Sequence, residues 1–230
     1  SLDANSLFQL QAGQHVPGLL AVVCLDLGNL VLACCLGGAQ GFQHGQQAVR
    51  LLTEQDISLA REQAKAIESL NEQRRGMDRQ ITEEALELIR EQGEENRMST
   101  VVYKADWHKG VIGIVASRLT ETYYRPTLVF TKSGDTLAAS ARSVRGFDVY
   151  EALQACSDVI EQFGGHTYAA GLTLQESRFE EFKARFEQVV SDSILPEQLQ
   201  PELQIDLRVH LGEISPRLVR ILEQFAPFGP

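Results

Sequence analysis

Ala60, Ala64, Ile67, Asn71, Arg74, Asp78, Ile81, Ala85 and Leu88 recur at alternating spacings of four and three residues. That spacing lays one stripe along an α-helix. Asp56 stands where an N-cap belongs, so the pattern predicts a helix from Asp56 to about Gln92. At 1.5 Å per residue it extends roughly 55 Å, longer than a small domain is wide. A helix of that length is expected to connect two bodies. Its stripe is apolar at the ends and polar in the middle, at Asn71, Arg74 and Asp78. Such a seam argues against a homodimer, and fewer than four clean heptads argue against an isolated coiled coil, so a monomer is expected. Arg74, Arg75 and Gly76 interrupt the seam. An interior glycine costs roughly 1 kcal/mol relative to alanine, which predicts a bend or a solvated bridge there.

Upstream of that helix the periodicity is weak. Leu19 to Val23 and Leu30 to Ala33 read as short buried strands, Gly37, Gly38 and Gly41 as a turn, and Gln46 to Leu52 as a short helix. The apolar run from Leu19 to Leu36 carries Asp26 and Asn29 in its middle, which favours a buried segment over a membrane span. After Gly93 strand and helix signals alternate in short units, as in a compact α/β domain. Strands are predicted at Ser99 to Tyr103, Thr127 to Thr131, Thr136 to Arg142 and Ala170 to Leu174, with helices at Val111 to Tyr123 and from Asp148 to about Cys156. Ser177 and Glu180 read as a capping box opening a further helix to Ser191. Pro196 and Pro201 mark a linker, followed by a strand at Gln204 to His210, a helix from Ser215-Pro216, and the end Pro227-Phe228-Gly229-Pro230.

A formal net charge of -10 argues against a protein that coats nucleic acid by bulk attraction. The charge is unevenly placed. From Lys104 to Tyr150 there are seven basic residues (Lys104, Lys109, Arg118, Arg125, Lys132, Arg142, Arg145) and four acidic ones (Asp106, Glu121, Asp135, Asp148). That segment is +3 and the remainder -13, so an anion site is expected within it. Cys24, Cys34, Cys35 and Cys156 form no C-x-x-C pair, which speaks against zinc and a disulfide framework and for a reducing cytoplasm. The chain opens without a secretory signal pattern.

Three clusters in or just after the basic segment carry chemistry. Trp107-His108-Lys109-Gly110-Val111 precedes an amphipathic helix, so free N–H groups and the positive helix end lie beside a histidine and a lysine. Ser140 and Arg142, two apart on a strand that runs into Ser143, share a face, and a hydroxyl beside a guanidinium suits phosphate oxygens. Phe163-Gly164-Gly165-His166 allows close backbone approach, with the histidine at a tip leading into Tyr168-Ala169-Ala170-Gly171. Taken singly, each also reads as an ordinary feature: a helix start, an exposed strand end, a glycine turn.

In this order and at these separations, the clusters resemble a known family. His108-Lys109-Gly110-Val111-Ile112-Gly113-Ile114-Val115-Ala116-Ser117-Arg118-Leu119, Arg125-Pro126-Thr127, Ser140 to Ser143 and Gly164-Gly165-His166 are similar to the DHH-associated domain of RecJ-type exonucleases. His44-Gly45, the Ala48-Val49 helix and the long charged helix resemble that family's interdomain connector, and Pro227 to Pro230 the lead-in to its oligonucleotide-binding barrel. The resemblance spans about residues 44 to 230 and is most specific from 108 to 172. It implies an α/β fold with a mixed β-sheet flanked by helices and preceded by a long connecting helix. It divides the chain into the end of a catalytic lobe (1–45), connecting helices (46–95), the substrate-binding domain (96–195) and a linker with the start of an oligonucleotide-binding domain (196–230).

By the same resemblance, the activity is 5′-to-3′ hydrolysis of single-stranded DNA in repair and recombination. The substrate phosphates are held by His108, Lys109, Gly110, Ser140, Arg142, Ser143, Gly164, Gly165 and His166. The family's Mn2+ or Mg2+ sits in a lobe of Asp and His ligands, and the chain shows neither an Asp-His-His triplet nor a close Asp-x-Asp pair. No catalytic residue and no metal ligand are therefore assigned to this chain. Glu83, Glu84 and Glu87 read as solvated helix carboxylates partnered by Arg79 and Arg90. The chain departs from the family just before His44, where Gly37 stands for an expected Asn, and Cys35 and Gly41 for two expected arginines. Two alternatives remain at this point: a noncatalytic nucleic-acid-binding module, like the domain that ends alanyl-tRNA synthetases, and a small-molecule phosphodiesterase of the same superfamily.

Overall fold

The computed structural model describes residues 38–203, 205 and 208–225, with side-chain surroundings from Gln46 on. The expected strands before Ala33 and the motif at Pro227 to Pro230 lie outside the described residues, as does Leu19 to Leu36. Among the described residues no helix is long and apolar enough to cross a membrane.

The chain divides into two compact units, and residues of the long helix belong to both. The first takes in Ala39–Glu68 and the residues from Ile205. Helix α1 runs from Gly38 to Thr53, starting eight residues before the expected Gln46, so Gly38 and Gly41 lie in a helix and not in a turn. Two glycines at roughly 1 kcal/mol each do not stop this helix. Asp56 caps α2 (Ile57–Glu91) as expected, its Oδ1 accepting from the Ser58 N–H at 2.7 Å and the Leu59 N–H at 3.3 Å. The helix passes unbroken through Gly76, where an added Cβ would meet nothing within 4 Å.

The second unit includes Ser69–Gln204. Its sheet comprises β1 (Thr100–Tyr103), β2 (Thr127–Ser133), β3 (Thr136–Arg142), β4 (Gln162–His166) and β5 (Ala169–Leu174), in the order β1-β2-β3-β5-β4. The β1–β2 pair is parallel and the other three are antiparallel, so the sheet is mixed, as the resemblance implied. Helix α3 (Ile112–Tyr123) crosses between the parallel strands. Two further helices, α4 (Val149–Gln154) and α5 (Phe179–Ser193), come later in the chain.

Alternation along the strands sends side chains to two cores. On one face Leu128, Phe130, Leu137, Ala141 and Leu172 pack with Leu153 of α4 and with Phe182 and Phe186 of α5. On the other, Val102 and Val129 pack with Val115 and Leu119 of α3 and with Ile81, Ala85 and Ile89 of α2. The polar middle of the α2 stripe is explained here. Asp78 is buried, and Arg118 of α3 forks onto its carboxylate at 2.7–3.2 Å, which locks α2 to α3.

Four local expectations differ from the structure. The glycines of Gly164-Gly165 form strand β4 instead of a turn, because pairing with β5 supplies the hydrogen bonds that glycine's own propensity does not favour. Tyr168 accordingly sits in a two-residue hairpin loop, not in a strand. The Ser177–Glu180 capping box does not form; a 3-10 turn at Glu176–Arg178 leads into α5, and Arg178 occupies the N-cap without a side-chain bond. No strand is present at residues 205 and 208–210. The helix expected from Ser215-Pro216 is present, as α6 (Pro216–Glu223), with the Ser215 hydroxyl accepting from the Leu218 N–H.

Candidate nucleic-acid interface

Helices α2 and α3 cover one end of their sheet face and leave the other bare. Register defines the bare part. Ser140 pairs with Gly171, which pairs with Gly164, and Arg142 pairs with Ala169, which pairs with His166. Directly opposed residues point the same way, so these two rows form one floor across β3, β5 and β4. Gly164, His166 and Gly171 are exposed, while Ser140, Arg142 and Ala169 are half-buried.

The glycines in and beside these rows fall into two kinds. Gly165, at φ +155°, has no room for a side chain: an added Cβ would lie 2.4 Å from the Ala169 carbonyl oxygen and 2.5 Å from Ala170 Cα. At Gly164 a Cβ would meet nothing within 4 Å, and at Gly171 only the Ala139 carbonyl at 3.7 Å. Packing demands glycine at Gly165 alone; at the other two its effect is to keep the floor low.

The cations of the basic segment sort in the same way. Lys104 pairs with Glu84, Arg118 with Asp78, Lys132 with Glu176 and Arg145 with Glu202. Arg125 is buried and donates to the carbonyls of Glu94, Glu95 and Arg97 and to the Thr100 hydroxyl, so it ties down the chain ahead of β1. The expected +3 is thus largely neutralised or engaged. Apart from Arg125, only Lys109 and Arg142 of this segment pair with no carboxylate among the described residues, and both belong to the expected site.

Arg142 is held by its own strand. Its Nη1 donates to the Ser140 hydroxyl at 3.2 Å and to the Ala141 carbonyl at 2.8 Å. Burial without a countercharge holds its pKa below the usual guanidinium range. Ser140 accepts through its oxygen and so keeps its proton for another acceptor. Ser143 is engaged differently: its hydroxyl donates to the Phe147 carbonyl at 2.8 Å and its N–H to the Tyr168 carbonyl at 3.0 Å.

Both histidines are oriented by backbone. The Gly110 N–H donates to His108 Nδ1 at 3.1 Å, and the Tyr168 N–H approaches His166 Nδ1 at 3.4 Å. An Nδ1 that accepts leaves the neutral ring's proton on Nε2, so each imidazole turns an N–H donor outward. Lys109 Nζ reaches the Ser133 hydroxyl at 3.1 Å, at the far end of β2 from Arg142.

The three clusters therefore do not converge on one point. The Thr131 hydroxyl donates to the Trp107 carbonyl, placing the 107–110 loop at the level of Ala138, whereas Arg142 lies level with Thr127. Four residues of strand separate the two levels, about 13 Å. Ser140 lies between them.

Glu84 is the residue that the sequence reading missed. It faces the 107–110 loop and has no helix partner among the arginines expected for it. Lys104 Nζ donates to its carboxylate at 2.7 Å, Trp107 Nε1 at 3.0 Å and Gln80 Nε2 at 2.9 Å. These hydrogen bonds, that from Lys104 foremost, hold its pKa down at about 2. Trp107 is only 4% exposed, so Glu84 fixes the residue next to His108. The one available signal was that a buried indole N–H needs an acceptor.

The described residues contain no group of three or more His, Cys, Asp or Glu able to hold a metal. The Mn2+ or Mg2+ implied by the resemblance therefore does not fit the residues described here. Cys156 is buried, which pushes its thiol up to about 11 and leaves it inert.

Residues 97–192 match the DHHA1 domain family. The chain is 34% identical over 200 residues to the single-stranded-DNA-specific exonuclease RecJ of Bacillus subtilis, covering 86% of this chain and 25% of that protein. It is 32% identical over 254 residues to RecJ of Salmonella typhimurium, covering 99% of this chain and 44% of the relative. The crystal structure of Thermus thermophilus RecJ in complex with Mn2+ superposes with a TM-score of 0.66 at 26% identity, over 92% of this chain and 28% of that one. The chain spans from a quarter to less than half the length of these relatives. Over most of its length the chain is similar to RecJ, and its residues 97–192 match the DHHA1 domain model.

Proposed function

We propose that this chain supplies the strand-gripping part of a RecJ-like, cytoplasmic 5′-to-3′ single-stranded DNA exonuclease acting in repair and recombination. On this reading residues 96–195 bind substrate, 46–95 connect them to a metal-bearing catalytic lobe, and the chain works as a monomer. The observation that carries the reading is Arg142: a half-buried guanidinium with no carboxylate, in register with His166 on a floor of glycine, alanine and serine. A half-buried cation with no countercharge is suited to take an anion. Donors strung over about 13 Å suit successive phosphates of a polymer better than the single phosphate group of a small substrate.

Hydrolysis itself belongs, on this reading, to the Mn2+ or Mg2+ of the other lobe. The residues described here orient the strand: Arg142 forks onto one phosphate, Ser140 donates its proton, and His108 and His166 offer Nε2–H groups. Lys109 adds charge at the far end, Gly110 opens the helix N-terminus, and Gly164 and Gly165 allow close approach. The test is fluorescence anisotropy of the chain with single-stranded DNA, RNA and duplex at several salt concentrations. Arg142→Ala is expected to weaken single-strand binding at least tenfold, from about 1.5–3 kcal/mol for a charged hydrogen bond. Equal binding by Arg142→Ala and the parent chain would refute the reading, and tighter binding to RNA would favour the noncatalytic module.

A further inference from the structure

The β4–β5 hairpin turns through Thr167 and Tyr168, and its tip is tied down from below. The Ser143 N–H donates to the Tyr168 carbonyl at 3.0 Å and the Val149 N–H to the Thr167 carbonyl at 3.1 Å. The Thr167 hydroxyl donates to Asp148 at 2.9 Å, and the same carboxylate caps α4. The backbone of the tip is therefore fixed to the 143–149 loop. Tyr168 is nonetheless 49% exposed, the one exposed Phe, Tyr or Trp among the described residues of the sheet-containing unit. Other aromatics of this unit are paired: Tyr150 packs on Phe163, and Tyr103 on Phe179. Tyr168 has no such partner, and its N–H meets the ring of His166.

We infer that Tyr168 is a base-stacking contact: a nucleobase of the strand whose phosphates lie along Arg142 and His166 packs on its ring. The occupant is an unpaired base, because a base within a duplex is already stacked on both faces. Recognition then has two parts with different chemistry. Arg142, Ser140 and His166 read phosphate, which single and double strands share, whereas Tyr168 reads an exposed base face. An aromatic ring on a backbone fixed by three hydrogen bonds loses little freedom on binding, which favours a stacking platform. Tyrosine suits the position because its hydroxyl stays in water while the ring is covered. The inference rests on the proposed single-strand grip.

The test uses the full 230-residue chain and two probes: a twelve-nucleotide oligothymidylate and an abasic oligomer with the same sugar-phosphate chain. Tyr168→Ala is expected to weaken oligothymidylate binding about tenfold and leave abasic binding unchanged, while Tyr168→Phe retains both. Thermal unfolding of the variants, monitored by circular dichroism, is expected to match that of the parent, since the ring is exposed. If Tyr168→Ala binds oligothymidylate like the parent while Arg142→Ala loses affinity for both probes, stacking is refuted and the phosphate grip stands. If the parent chain binds neither probe, the grip fails and the inference fails with it.

Discussion

Replacing Glu84 with alanine tests whether α2 holds the 107–110 loop in place. The carboxylate accepts from Lys104, Trp107 and Gln80, and its pKa falls from 4.5 to about 2. At about 1.4 kcal/mol per tenfold change in proton affinity, that displacement corresponds to about 3 kcal/mol. The side chain is 28% exposed, so solvent screening reduces this to about 2 kcal/mol. The structure leads to a similar figure by a second route. Lys104 is 45% exposed and returns to water at little cost, but the buried Trp107 N–H is left without an acceptor, at about 1–3 kcal/mol. Glu84→Ala is therefore expected to lower the midpoint of thermal unfolding by about 4–8 °C near neutral pH. A depressed carboxyl pKa stabilises the fold above the unfolded value near 4.5 and loses that contribution as pH falls toward 2. The gap between variant and parent must accordingly shrink over that window. Trp107 is the sole tryptophan, so its fluorescence follows unfolding at the site itself. An unchanged midpoint, or a gap as large at pH 2.5 as at pH 7, would refute the argument.

Three further outcomes are expected. Gly165→Ala, whose Cβ would sit 2.4 Å from a carbonyl oxygen, destabilises the domain by more than about 2 kcal/mol in urea unfolding, whereas Gly164→Ala, with open space around it, raises stability by about 0.5–1 kcal/mol. Asp78→Ala weakens the docking of α2 on α3 by about 1.5 kcal/mol, the low end for a charged hydrogen bond, because Arg118 is half exposed and regains water; calorimetric melting reads it. On 5′-labelled single strands with manganese, the purified chain releases no nucleotides, and release in proportion to its concentration would show that the catalytic centre lies within these residues.

Features set by neighbours in sequence were legible. The strand Thr136–Arg142 is placed by the Ser133-Gly134-Asp135 turn before it, where Gly134 adopts φ +65°. The caps at Asp56 and Asp148 and the helix start at Ser215-Pro216 are read within three residues of chain, and all three side chains accept from helix N–H groups. What escaped depends on partners far away. Glu84 was matched to arginines one helical turn off, but its partners lie 20 and 23 residues downstream on a loop that no local signal brings back to α2. Asp78 looked like a break in the stripe for the same reason, its partner Arg118 being 40 residues on. The Gly164-Gly165 strand was invisible to propensity because its hydrogen bonds come from β5. At the site, His166 and Arg142 were singled out separately; only the register of β3, β5 and β4 shows that they share a row.

The placement of glycine then separates what the fold requires from what the surface is for. A glycine in a strand is less favourable than alanine by roughly 0.5–1 kcal/mol, since more backbone freedom is lost and no side chain packs. At Gly165 that disadvantage is unavoidable, because any side chain would strike β5. At Gly164 and Gly171 nothing in the packing calls for it, and alanine would make the sheet more stable. Both lie in the row of Ser140, beside the row of Arg142 and His166, on the part of the sheet that α3 leaves uncovered. Stability has thus been forgone where the only gain is a lower floor beside an unneutralised guanidinium. The same chain neutralises Lys104, Arg118, Lys132 and Arg145 with its own carboxylates. A polypeptide at net charge -10 therefore has no general attraction for a polyanion, and the single-strand grip proposed above rests on this strip.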